Sequence, residues 1–255
     1  MLSQAIKAAK KAGKYIKEHY NTEYQISYKD AHNVVSEVDI AAEKIILEYL
    51  QEKFPNHSFF SEEKGMIDNG SDYLWIIDPL DGTTNFIHNF PYFCISIALA
   101  YKGKPLLGVI YQPLTQELYS AQLGKGAFLN NKPIRVNNLP TLDKAVGLIM
   151  RGADTVQKER SAKIFRLIST NLRTVRILGS VVSICSVASG QFDLMVVNGS
   201  LFYDYAAAAL IAQEAGATVT DFHGNPWKIL KEERADLLIA NPNLHKQFLP
   251  KLNAI

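Results

Sequence analysis

The stretch Trp75-Ile76-Ile77-Asp78-Pro79-Leu80-Asp81-Gly82-Thr83-Thr84-Asn85-Phe86 restricts what this chain can fold into more than any other. Its apolar start, with aromatic and β-branched residues, suits a buried strand, and Pro79 and Gly82 are expected to stop that strand and force a turn. Asp78 and Asp81 then sit at the strand exit. Thr83 is placed to start a helix whose first free N–H groups would face whatever the carboxylates hold, a favourable arrangement for a phosphate. Two hard oxygen donors beside such a helix start suggest Mg²⁺ chemistry. A plain surface turn, with Asp78 capping the turn and Thr83 capping a helix, explains each residue singly.

The 255 residues suffice for one large domain of two closely packed halves, about 1–140 and 141–255, around a substantial core. With 47% hydrophobic and 20% charged residues, wholesale disorder is excluded. Lys and Arg total 27 against 25 Asp and Glu, and a net charge of +2 makes no general electrostatic case for nucleic acid. Cys94 and Cys185 are far apart, without CxxC or paired-His spacing, so neither a disulfide framework nor a zinc site is indicated. Both have apolar neighbours and suit small buried thiols. His57, His88, His223 and His245 show no metal spacing and are expected to be surface imidazoles. No stretch approaches the roughly 18 apolar residues of a membrane span, and no leader pattern opens the chain, so a soluble cytoplasmic protein is expected.

Residues 2–20 read as a helix with Ile6, Ala9, Gly13, Ile16 and Tyr20 on one side and five lysines on the rest. Those lysines could attract RNA or an anionic membrane, but no aromatics interleave for base stacking, and a solvated face is expected. A second helix, 40–54, carries the stripe Val38, Ala41, Ala42, Ile45 and Tyr49, with Asp39 in its first turn. Strands are expected at 58–61, 93–101, 105–111, 116–121 and 126–129, with a hairpin at Lys102-Gly103-Lys104 and largely antiparallel pairing. Beyond them come a strand at 146–150, a helix at 153–169, a strand at 175–178 leading to Gly179-Ser180 at a helix start, and a strand at 192–197. A turn at Asn198-Gly199-Ser200, the helix 205–215 behind Asp204, strands at 217–221 and 236–240 and a helix at 243–252 follow.

Taken singly, Asp39 and Asp204 are helix-start carboxylates stabilised by the helix dipole, and Glu62-Glu63 is surface charge. Together with the dodecamer they resemble the inositol monophosphatase family. The dodecamer fills every position of the family pattern, an apolar strand followed by Asp-Pro-Ile/Leu-Asp-Gly-Thr-x-Asn-Phe. Ser61-Glu62-Glu63 is similar to its Gly/Ser-Glu-Glu, with Glu63 supporting Glu62. Asp39 is in register with the last Asp of Asp-x-Val-Thr-x-x-Asp, although Asn33 and Ser36 stand where Asp and Thr are usual. Asp204-x-Ala206-Ala207-Ala208 with Glu214-Ala215-Gly216 resembles the second signature, Tyr203 standing for Trp and Ala208 for Gly. Thr84-Asn85-Phe86 looks like the inositol phosphatase branch rather than the nucleotide-bisphosphate branch, which usually carries Lys-Glu-Phe.

The resemblance implies a layered αβαβα sandwich of α/β (α+β) type, a homodimer, lithium sensitivity and a Mg²⁺-dependent phosphomonoesterase using two or three ions. It places metal ligands at Glu62, Asp78, Leu80 (through its carbonyl), Asp81 and Asp204, catalytic groups at Glu62, Thr83 and Asp39, and substrate contacts at Asp81, Gly82, Thr83, Gly179, Ser180 and Asp204. Clustered carboxylates repel one another unless a cation joins them, and no nucleophile with an adjacent base suggests a covalent phosphoenzyme. Val181 and Val182 replace smaller family residues and are expected to narrow the pocket. The expected substrate is inositol 1-phosphate or a similar sugar or polyol phosphate, but Val197 stands where inositol phosphatases carry a sugar-binding Glu, which argues against strict inositol specificity. Fructose-1,6-bisphosphate, histidinol phosphate, NADP and 3′-phosphoadenosine phosphate remain alternatives, as does a regulatory RNA- or protein-binding member.

Overall fold

Small residues decide how closely the first helix can sit on its sheet. In the computed structural model, which describes residues 1–28, 34–152, 154–229 and 234–253, α1 (Leu2–His19) buries Ala5, Ala8, Ala9, Ala12, Gly13 and Ile16. A Cβ on Gly13 would meet the Tyr111 ring at 2.5 Å, so only glycine permits this approach. Lys7, Lys10, Lys11, Lys14 and Lys17 are exposed, the solvated face expected of them. A ribbon of β1 (Ile26–Tyr28) and β2 (Val34–Ser36) leads to α2 (Glu37–Lys53).

An eight-stranded sheet follows in the spatial order β10-β9-β8-β7-β6-β5-β3-β4. Its strands are β3 (Ser58–Ser61), β4 (Gly65–Ile67), β5 (Tyr73–Asp81), β6 (Cys94–Tyr101), β7 (Lys104–Gln112), β8 (Glu117–Gln122), β9 (Ala127–Leu129) and β10 (Lys132–Ile134), with the short α3 (Thr83–Ile87) after β5. Pairing is antiparallel throughout except between β3 and β5. The Lys102-Gly103 hairpin has positive φ at both residues, the backbone hand that matches sheet twist.

The second sheet has the order β12-β11-β13-β15-β14, from β11 (Val146–Met150), β12 (Thr174–Arg176), β13 (Leu194–Ser200), β14 (Thr218–Thr220) and β15 (Ala235–Ala240). Its helices are α4 (Thr155–Asn171), α5 (Val182–Ala188), α6 (Phe202–Glu214) and α7 (Pro242–Leu252). The layers follow from which elements touch. α1 and α2 cover one face of the large sheet, while α6 and α5 lie between its other face and the smaller sheet; α4 and α7 close the far side. This is the expected αβαβα sandwich. α6 is apolar all round, as a helix between two sheets must be, and its Ala206–Ala209 run is fully buried. Gly108 on β7 sits directly beneath Ala207, whose carbonyl would collide with any Cβ there.

Four local expectations fail. β5 runs through Pro79 to Asp81 instead of stopping, because its register against β6 slips between Asp78 and Asp81, and a bulge tolerates a residue with no N–H. Asn198-Gly199-Ser200 is likewise a bulged continuation of β13, not a turn. The buried side of α2 is centred on Val38, Ala42, Ile46 and Leu50, and it includes Asp39 and Glu43, because the helix packs against both α1 and β5. His245 is only 5% exposed, held at 2.9 Å from the Thr220 hydroxyl. Helix and strand ends elsewhere differ by a few residues, as fraying termini do. Both cysteines are buried thiols, as read from their neighbours.

Candidate active site

The bulge at the end of β5 builds the site. Leu80 has left the ladder, and its N–H donates to Asp78 Oδ1 at 3.1 Å, while its carbonyl accepts the Thr83 hydroxyl at 3.0 Å. Gly82 follows at φ 87°, a left-handed conformation that costs other residues energy, and a Cβ there would meet the Tyr92 carbonyl at 3.1 Å. That turn starts α3 at Thr83, a helix of only 5 residues. Parallel pairing of Ser61 with Ile77 then sets Glu62 beside Asp78, and the Glu62 N–H donates to the Ile77 carbonyl at 3.1 Å.

Asp39 stands behind this group and does not line the cavity. It is 1% exposed, and its carboxylate accepts the Ser36 N–H (2.9 Å), the Ser36 hydroxyl (2.5 Å) and the Thr83 hydroxyl (2.8 Å). One hydroxyl carries one proton, so Thr83 donates to either Asp39 or the Leu80 carbonyl at a given moment. Asn33, the other position of that motif, lies outside the described residues. Glu43, one turn beyond Asp39, is buried, and its Oε1 accepts the N–H groups of Glu63 (3.0 Å) and Lys64 (3.1 Å), fixing the loop that carries Glu62.

The second half supplies the opposite wall. Asp204 occupies the first turn of α6 and accepts the Leu201 N–H at 3.0 Å. Asp81 accepts the Ser180 hydroxyl, the Val181 N–H (2.8 Å) and the Cys94 thiol (3.6 Å). The Asn85 amide donates to the Tyr92 carbonyl (2.7 Å) and the Leu178 carbonyl (2.8 Å), so the two halves are stitched together at the site itself. The helix expected at Gly179-Ser180 starts at Val182, with the Ser180 hydroxyl accepting the Val182 N–H at 3.3 Å. Val181 and Val182 do not narrow the cavity: both are buried in the central core.

Glu62, Asp78, Leu80, Asp81, Gly82, Thr83, Gly179, Ser180 and Asp204 line one cavity of about 380 Å³. Every expected metal-ligand and substrate position therefore reaches the same space. Burial raises the Asp78 carboxyl well above its usual range, and the charges of Glu62, Asp81 and Asp204 add to it. Asp204 is raised by burial and then by Asp81 and Glu62. Burial lifts Asp81 to about 6 against the lowering effect of its donors. Among the described residues no three His, Cys, Asp or Glu side chains already form a closed metal-ligand group; Glu62, Asp78 and Asp81 line one side of the cavity and Asp204 the other. An all-oxygen set of mutually repelling carboxylates with a backbone carbonyl beside them is chemically suited to a hard divalent cation.

Thr84 and Asn85 of the dodecamer also line the cavity, and the rest of the lining was not singled out in the sequence: Val34, Ile149, Met150, Arg151 and Ile177. Val34 comes from β2, and Ile149, Met150, Arg151 and Ile177 come from the ends of β11 and β12, which pair with each other in the second sheet. No local motif marks them.

A layered sandwich with an acid-lined cavity where strands end and helices begin is the architecture of the solved inositol monophosphatases, which are phosphoric monoester hydrolases. The chain belongs to the inositol monophosphatase family, whose profile matches residues 1–255. It is 37% identical to "Inositol monophosphatase 3" of Solanum lycopersicum, covering 99% of this chain and 96% of the relative. It is 39% identical to "Nus factor SuhB" of Pseudomonas aeruginosa, covering 98% and 94%. The solved inositol monophosphatase of Anabaena superposes with a TM-score of 0.88 at 32% identity, over 100% of this chain and 95% of that one.

Proposed function

We propose that this chain hydrolyses a small sugar or polyol phosphomonoester, inositol 1-phosphate or a similar compound, with Mg²⁺ as its metal. The observation that carries the reading is the meeting of Glu62, Asp78, Asp81, Asp204 and the Leu80 carbonyl on one cavity. Glu62, Asp78 and the Leu80 carbonyl would hold one ion, and Asp78, Asp81 and Asp204 a second. When bound, Mg²⁺ supplies positive charge for the phosphoryl and leaving oxygens and acidifies a nearby water.

The remaining roles belong to the protein. Gly82 and Thr83 offer backbone N–H groups to the phosphate at the start of α3. Glu62 and Thr83 orient the attacking water and draw off its proton, with Asp39 holding the Thr83 hydroxyl in place. Water oxygen bonds to phosphorus opposite the ester oxygen; that P–O bond breaks, and the alcohol and inorganic phosphate leave. Gly179 and Ser180 bound the far side, where Asp81 accepts the Ser180 hydroxyl and the Val181 N–H. Val197 is fully buried between Met150 and Leu237, so no carboxylate meets sugar hydroxyls there, which favours a phosphomonoester other than one recognised through that contact.

Phosphate release from a panel of phosphomonoesters, with and without Mg²⁺, tests this directly. Mg²⁺-dependent release is expected, together with its loss in Asp81→Asn, whose side-chain oxygen can still accept the Val181 N–H and keep the fold. Normal turnover in that variant, with an unchanged circular dichroism spectrum, would sink the assignment. The relative called a Nus factor is the observation in favour of a nucleic-acid or protein partner instead, and absence of release from every compound would support that reading.

A further inference from the structure

The end of the cavity away from the acids differs from them in kind. Val34, Met150 and Ile177 form an apolar wall, and Ile177 is 56% exposed. Among them stands Arg151, at the end of β11, exposed to the cavity and in no ion pair with any described residue. Its place is set from behind. Gln157 of α4 is lodged between Gly152 and Gly199, and a Cβ on either glycine would overlap it, so the chain leaving β11 is pinned against the bulge of β13.

Of the polar side chains near this end, several are already engaged. The Asn85 NH2 group donates to the Leu178 and Tyr92 carbonyls, the Ser180 hydroxyl donates to Asp81, and Val197 is buried in the core. A free guanidinium beside hydrocarbon recognises a planar or tetrahedral anion borne on an apolar stem, and it binds oxyanions through paired N–H donors. Resting on the phosphatase reading, we infer that Arg151 is a specificity-determining residue that receives a second anionic group of the substrate, a phosphate or carboxylate joined by a hydrocarbon stem to the phosphate being cleaved. An uncharged polyol tail would offer this guanidinium only hydroxyl oxygens, which are weaker partners than an oxyanion.

Three compounds of one carbon count test it: an alkanediol monophosphate, the corresponding bisphosphate, and the monophosphate of the corresponding hydroxy acid. Wild-type protein with Mg²⁺ is expected to prefer one or both two-anion compounds over the monophosphate by about tenfold or more in kcat/KM, mainly through KM. Whichever of the two is preferred tells phosphate from carboxylate. Arg151→Ala is expected to collapse that ratio, Arg151→Lys to restore part of it, and Arg151→Glu to invert it. A wild-type ratio near one, or a ratio that Arg151→Ala leaves unchanged, overturns the inference while the phosphatase reading stands. No release from any of the three, with release from another phosphomonoester, also overturns the inference, whereas no release from any phosphomonoester removes both.

Discussion

Glu43 shows how one buried side chain can govern a site it never touches. It sits on the inner face of α2, and its carboxylate oxygen takes the two N–H groups that follow Glu62. Glu43→Ala leaves both donors without a partner, and a loss of about 1–3 kcal/mol is expected in urea unfolding. Turnover should fall more than substrate affinity, because the loop that aims Glu62 loosens while the phosphate-binding backbone stays in place. Gly82→Ala should cost about 1–2 kcal/mol through its left-handed conformation and remove activity with it, since the added carbon presses on the Tyr92 carbonyl. Legibility at this scale was uneven. The dodecamer announced its acids because each stands in a motif, but Glu43 is one glutamate among several in an ordinary helix, and Arg151 follows a strand with nothing local to mark it.

Among the elements, α6 and α7 carry the sharpest expectations. The carbonyl of Ala207 lies so close to Gly108 that Gly108→Ala must lift α6 from β7, and α6 carries Asp204 in its first turn. Destabilisation of about 1–3 kcal/mol is expected from the overpacking, with weakened Mg²⁺ activation measured in the same variant. His245 on α7 donates to, or accepts from, the Thr220 hydroxyl, and burial lowers its pKa from the ordinary 6.5. A histidine lowered in this way binds its proton more readily in the unfolded chain. Its contribution to stability is therefore full above about pH 6.5 and declines as pH falls from there toward the lowered native value. The stability gap between wild type and His245→Gln should narrow on acidification, as melts across that window would show. Helix existence and most strands were legible from periodicity. The bulges in β5 and β13 were not, because proline, asparagine and glycine look the same in a bulge as in a turn.

At the scale of the whole molecule, the α5–α6 layer belongs to both halves, so neither has a core of its own on that side. One cooperative transition is expected. Trp75 lies fully buried in the outer core of the first half, and Trp227 packs against the central core from the second. Proteins retaining only one of the two tryptophans should give coincident urea curves; two separated midpoints would show that the halves unfold independently. The layered class was legible because motifs bound to a known architecture span the chain. The packing of the layers was not, because it depends on small residues such as Gly13, Gly108 and the alanines of α6, which carry little periodic signal.

The shared layer also bears on how such a chain emerges from the ribosome. Until α6 is made, the inward face of the large sheet, with Leu74, Ile76, Ala98, Ile110 and Tyr119, has nothing to cover it. A nascent chain paused after β10 is therefore a greasy, open-faced sheet. It invites chaperones or neighbouring copies, and its stickiness ends when the alanine-rich helix inserts, at the same moment that Asp204 reaches the other acids.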